Sequence, residues 1–172
     1  MRGRIVALLL LCMLLWTHPL WSDRAKVLER VAESTEVFKE IMAVPEKAIP
    51  ADLLSRAECL VIVPSLKKAG FVVGGHFGRG VVTCRNAGRG WGPLSMLTMG
   101  GGSFGLQIGG QAIDVVMLIM NKKGKNFLVG DKFTVGGDAS AAAGPVGRAA
   151  SAETNAAMRA EILTYSRARG LF

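Results

Sequence analysis

All but two of the 22 glycines in this 172-residue chain fall between Gly70 and Gly147. Glycine lets a backbone bend sharply or pass close to another, and it weakens regular elements that do not need it. The pieces just before and between these glycines are short, apolar and carry β-branched residues: 59–63 (CLVIV), 71–73, 81–84, 94–99, 106–108, 113–120 and 127–129. They read as strands, and the glycine clusters predict bulges, tight bends or close backbone approach in a curved sheet. The run 59–63 is expected to stop at Pro64. The segment 74–80 (GGHFGRG) is expected to turn between two strands, and 121–124 (NKKG) to turn before the strand at 127–129. Residues 139–157 are rich in Ala and Gly, with helical potential at either end broken by Gly144-Pro145. Residues 158–167 suit a helix or a strand.

Ahead of the glycines the texture is helical. Leu28, Val31, Thr35, Phe38 and Met42 recur at three- and four-residue spacing, which predicts an amphipathic helix over 23–43 ended by Pro45. Its polar side mixes Glu29, Arg30, Glu33, Glu36, Lys39 and Glu40, unlike the Lys/Arg-rich face of a membrane-surface helix. A second short helix is expected over 51–57, with Pro50 near its first turn. Together these features predict an α+β fold, with N-terminal amphipathic helices packed on a curved, mostly antiparallel, glycine-rich sheet.

Residues 1–22 have the layout of a secretory signal: Arg2 and Arg4, an apolar run over 5–16, then His18 and Pro19. The run is short for a membrane span, which takes about 20 residues. Leu20 and Trp21 make a poor cleavage context, so both a cleaved signal and an uncleaved anchor stay open. Residues 23–172 would then form one domain, exported to the periplasm or cell envelope. Without 1–22 the chain carries 19 basic and 13 acidic residues, and the excess of positive charge lies beyond residue 56. A basic body calls for an anionic partner. Export argues against nucleic acid, so an anionic membrane surface fits both facts. Cys59 and Cys84 could pair in an oxidising compartment or serve as two small buried hydrophobes.

The motifs that suggest catalysis do not carry their context. Gly100, Gly102 and Gly105 satisfy G-x-G-x-x-G, but a glycine-broken, β-like run follows where a pyrophosphate needs a helix N-terminus. Ser103 lies in G-x-S-x-G, yet the single histidine beyond residue 22, His76, precedes it, and no α/β alternation surrounds it. One histidine and two separated cysteines give no metal spacing. Asp114, Asp131 and Asp138 could meet in space, but nothing in their spacing requires it. We therefore expect no enzyme activity, cofactor or metal. What remains is basic: Lys67, Lys68, Arg79, Arg85 and Arg89 around the first glycines, Lys122, Lys123 and Lys125 on a later turn. If they converge, they form an anion-attracting surface, with Phe71, Phe77, Trp91 and Phe104 available either to headgroups or to the core.

Five phrases stand out in order: Lys68, Ala69, Gly70 and Phe71 with Gly74, Gly75, Gly78 and Gly80; Trp91, Pro93 and Ser95; Gly105, Gln107, Gly109 and Asp114; Asp138 with Gly144, Pro145, Val146, Gly147 and Arg148; and Tyr165, Ser166, Gly170, Leu171 and Phe172. As an ordered series they resemble the SYLF domain family of lipid-binding modules. The resemblance spans roughly residues 30–172. It implies non-catalytic lipid binding, directed to phosphoinositides in eukaryotic members, with actin binding in fungal members. For an exported chain the expectation narrows to anionic lipid, and actin is not expected as a partner. The family normally continues into another β segment after the position of Phe172. The candidate lipid contacts are Lys67, Lys68, Arg79, Arg85 and Arg148. The alternative is a structural or protein-interaction module of the cell envelope, in which the glycines serve fold geometry alone.

Overall fold

The computed structural model describes residues 20–70, 73–88, 90–104, 109–129, 141–144 and 160–168. Helix α1 (Leu20–Met42) and helix α2 (Ala51–Arg56) precede four strands, β1 (Cys59–Gly70), β2 (Val73–Cys84), β3 (Ser95–Phe104) and β4 (Gly109–Ile119). Helix α3 (Lys122–Val129), β5 (Ala141–Ala143) and β6 (Ile162–Ala168) complete the order. The strands form one sheet in the order β3-β2-β1-β4-β6-β5, antiparallel throughout except for the β5–β6 pair. The fold is α+β.

Two apolar layers sandwich the central strands. Ile62, Val81, Val116, Leu118, Leu163 and Tyr165 face the helices, against Val37 and Ile41 of α1 and Leu53 of α2. Cys59, Val61, Val63, Val115, Met117, Ile119 and Ile162 face the other way, with Leu128 of α3 packed against them. The central strands are therefore buried on both sides, which is why their sequences are continuous apolar runs rather than alternating ones. The buried stripe of α1 runs through Ser34, Val37 and Ile41, flanked by Val31, Phe38 and Met42. It is rotated from the expected stripe, and Leu28 and Thr35 are exposed. Ser34 can sit in the stripe because its hydroxyl donates to the Arg30 carbonyl at 2.8 Å.

Pro64 does not end the first strand. The ladder shifts between Val63 and Leu66 on the β4 side and between Ile62 and Lys67 on the β2 side, so Pro64 and Ser65 form a bulge inside β1. A bulge accommodates a residue that has no N–H to give. Ser65 takes φ 49°, in the left-handed region, and its N–H bonds to Asp114 Oδ1 at 2.9 Å. The expected turn at 74–80 is likewise strand. Gly70 pairs with Gly74, so 74–80 lie within β2 and the reversal comes earlier. Phe71 and Val72 lie outside the described residues.

The glycines of β2 admit the bulge. A Cβ on Gly80 would collide with the Ile62 carbonyl oxygen, and one on Gly78 would lie 2.7 Å from Val63 Cγ1 and 2.8 Å from Leu66 Cδ1. The expected strand at 127–129 is the last turn of α3. Asn121 caps that helix: its Oδ1 accepts the Gly124 N–H at 2.8 Å, and this local capping outweighs the weak strand tendency that follows. Residues 162–168 resolve as a strand. Cys59 and Cys84 are direct partners across β1 and β2 and form a disulfide. A crosslink closing a 25-residue separation stabilises the fold by about 3 kcal/mol.

Candidate functional site: a cationic strip on the helix side of the sheet

Among the described residues, the helix-side core reaches Ile62 of β1 and its partner Val81 of β2, just short of the bulge. Three rows of paired positions follow on this face: two lie past that core and are exposed, and the third is exposed at its β3 end. In the first row Lys67 stands opposite Phe77, and Phe77 opposite Gly100. In the second, Arg79 stands opposite Thr98; in the third, buried Val81 stands opposite Met96. Alternation along a strand places residues 77, 79 and 81 on one face, and Val81 fixes that face as the helix side. Lys67, Arg79 and Thr98 are exposed. Phe77 is 53% exposed and Met96 45%, values that exclude a core role for either. Lys67 and Arg79 are diagonal neighbours, a relation that in sheet geometry separates residues by about 7–8 Å and their Cβ atoms by somewhat less.

The same alternation separates Lys67 from Lys68. Lys68 pairs with His76 on the opposite face. There the imidazole lies over Gly101, where a Cβ would come within 2.8 Å of His76 Cε1. Arg85 serves the fold. Its Nε donates to the Ala57 carbonyl at 3.0 Å and its Nη2 to the Leu54 carbonyl at 3.1 Å. Its guanidinium lies 4.3 Å from the centroid of the Trp91 ring. A cation at the last carbonyls of α2 satisfies acceptors that the helix leaves open and complements its dipole. Arg148 and Arg89 lie outside the described residues, as do Phe71 and the side chain of Phe104. Lys123 of α3 pairs with Glu161 at 2.6 Å.

Of the sequence candidates, then, Lys67 and Arg79 share the open strip, Lys68 faces away from it and Arg85 holds α2. Phe77, expected to reach either headgroups or the core, is exposed on the strip, and Met96 joins it without having been singled out. The signal for Phe77 was present in 76–80 (HFGRG): read as a strand, it places Phe77 and Arg79 on one face. Asp114 is completely buried beneath the helix side of β4, bonded to Ser65 and Arg167. Asp131 and Asp138 lie outside the described residues. Among the described residues no group of His, Cys, Asp or Glu is placed to hold a metal ion. Gly100, Gly102 and Ser103 lie within β3, an extended setting that matches neither a phosphate-binding loop nor a nucleophile elbow.

The family model described as "Las17-binding protein actin regulator" (Ysc84) matches residues 100–172. The LAS seventeen-binding protein 3 of Saccharomyces cerevisiae is 34% identical over 151 residues, covering 86% of this chain and 32% of the yeast protein. The chain belongs to the SYLF family. The human SH3 domain-containing YSC84-like protein 1 is 33% identical over 160 residues, 90% of this chain and 46% of the human protein. The Xenopus laevis protein of the same name is 30% identical over 146 residues. This SYLF chain thus spans less than half the length of these relatives, of which the yeast protein is named for binding LAS seventeen. No solved structure matches it.

Proposed function

We propose that this SYLF chain binds anionic lipid at a membrane surface, without catalysis, after export. The observation that carries the proposal is the strip itself. Two cations, Lys67 and Arg79, flank an exposed phenylalanine and lie beside an exposed methionine on one open face. Cations near an acidic membrane surface contribute about 1 kcal/mol each, and an aromatic ring at headgroup depth adds an apolar anchor. The net charge of +8 supports the same direction. The Cys59–Cys84 disulfide suits an oxidising compartment, as the expected export signal requires. Among the described residues no helix is long and apolar enough to cross a membrane.

Co-sedimentation with neutral and phosphatidylglycerol-containing vesicles, at low and high salt, tests the proposal. The chain should bind the anionic vesicles, and salt should weaken binding. Lys67→Glu/Arg79→Glu should lower affinity by at least about tenfold, whereas Lys68→Glu should lower it less. Equal binding by the double variant would exclude the strip as the contact. The printed family description names an actin regulator and a Las17-binding protein, which favours a second reading as a protein-interaction module. A partner retained at full affinity after the double charge reversal would support that reading.

A further inference from the structure

The two edges of the sheet are unlike. At one end stands β5, three residues long; at the other stands β3, ten residues long. Short edge strands, charges and prolines are the devices that keep an edge from pairing. Strand β3 reads SMLTMGGGSF and has none of them. It pairs with β2 on one side, and among the described residues nothing pairs with it on the other. Ser95, Met96, Thr98, Gly100, Gly101 and Gly102 are all exposed. A glycine exposes little but backbone, so its exposure means that main-chain groups are open to solvent.

The strand is also complementary to itself. Its first half, Ser95 to Thr98, carries side chains, and Gly100, Gly101 and Gly102 carry none. Antiparallel pairing with a second copy, centred on Met99, sets each half against the other. Met96 then stands beside Gly102 of the copy, and Thr98 beside Gly100. Centring on a residue also keeps paired side chains on the same face, as the pleat demands. We propose that β3 is a self-association edge: two copies of this chain join β3 to β3 about a two-fold axis into one continuous sheet. The contact is isologous, so it closes at a dimer. Main-chain hydrogen bonds supply its affinity, as in other strand-addition interfaces. The two-fold axis stands perpendicular to the sheet, so both copies present Lys67, Phe77, Arg79 and Met96 on the same side. The dimer therefore doubles the cationic strip on one surface. The pairing itself does not depend on what that strip binds.

The test exploits the register. Thr98→Lys/Gly100→Lys sets like charges opposite each other across the seam, and Thr98→Glu/Gly100→Lys sets opposite charges there. Both positions tolerate the change within one copy. Thr98 is exposed, and a Cβ on Gly100 meets the His76 carbonyl oxygen and Phe77 Cδ2 at 3.6 Å, ordinary contact. Sedimentation equilibrium of the chain up to about 1 mM, the range of weak complexes, should show a dimer. The lysine pair should give a monomer with an unchanged near-ultraviolet circular dichroism spectrum, and the glutamate–lysine pair should restore the dimer. A native chain that stays monomeric across that range overturns the proposal. So does a dimer indifferent to the lysine pair. A monomer that instead takes up an extended peptide along β3 would assign the edge to a different protein partner and equally overturn self-association.

Discussion

Asp114 and Arg167 stand directly opposite each other on β4 and β6, and the guanidinium Nη2 donates to Asp114 Oδ2 at 3.0 Å. The same guanidinium reaches Glu40 of α1, and the other Asp114 oxygen takes the Ser65 N–H freed by the β1 bulge. One buried carboxylate thus ties the bulge, the sheet and the first helix together. The hydrogen bond to Asp114, and after it that to Glu40, holds Arg167 above its ordinary pKa despite partial desolvation.

Removing Asp114 should therefore be costly in a way that surface charge changes are not. Asp114→Ala leaves the Ser65 N–H without its acceptor and Arg167 without its buried partner. Because Arg167 is half-exposed and keeps Glu40, the expected loss is that of the orphaned Ser65 N–H, about 1–3 kcal/mol. Asp114→Asn keeps an acceptor for Ser65 and should lose less. Urea unfolding of the two variants measures both. A loss under about 1 kcal/mol for the alanine variant, the level of an exposed ion pair, would show that the network carries no load.

The glycines of β2 and β3 should divide sharply. Gly80→Ala drives a methyl group into the Ile62 carbonyl, a backbone atom that cannot step aside. Overpacking of this kind costs about 1–3 kcal/mol or more. At Gly102 the nearest atom to an added Cβ is the Gly74 carbonyl oxygen at 3.9 Å. Gly102→Ala should be neutral or slightly stabilising, because it restricts the unfolded chain. Thermal melts of the two alanine variants, side by side, check the contrast.

The contrast also marks what could be learned from the sequence. Short apolar runs announced the central strands, and three-to-four spacing announced α1, because burial imposes those periods directly. Two of the misjudged elements, the ends expected at Pro64 and at 74–80, share a cause: a local breaker signal was overruled by a specific tertiary partner. Pro64 is absorbed because Asp114, 49 residues away, satisfies Ser65. Gly74, Gly75, Gly78 and Gly80 extend as a strand because β1 and β3 flank them on both sides. The α3 segment followed a rule that the sequence did contain, the Asn121 cap. The basic residues were legible as a group, but composition cannot split Lys67 from Lys68. Only the pleat, and the shift at the bulge, decides which face each one takes.

Arg79 and Arg85 test that division. Arg85→Ala removes hydrogen bonds to the carbonyls of Leu54 and Ala57 and the contact with Trp91. Hydrogen bonds from a charged donor contribute about 1.5–3 kcal/mol, so the variant should unfold at clearly lower urea. Arg79→Ala should leave unfolding within about 0.5 kcal/mol of the native chain, as exposed sites do, and should weaken binding to anionic vesicles. Measuring both properties on both variants separates a fold residue from a contact residue. The opposite pattern would exchange their roles.

Tyr165 offers a readout that needs no substitution, because it is the single tyrosine of the chain. Its side chain packs in the helix-side layer, 5% exposed, and Gly144 leaves room for the ring. Burial, and secondarily the negative charge of Asp52, pushes its pKa up to about 12 from the usual 10.0. Both causes disfavour the phenolate, so the folded state holds the proton more tightly than the unfolded chain does. The associated stability is complete below pH 10 and declines as pH rises from 10 toward 12, by about 2–3 kcal/mol in all. Tyrosinate absorbance near 295 nm should accordingly rise with a midpoint about two pH units above that of the urea-unfolded chain. Matching midpoints would place the Tyr165 hydroxyl in water rather than in the core.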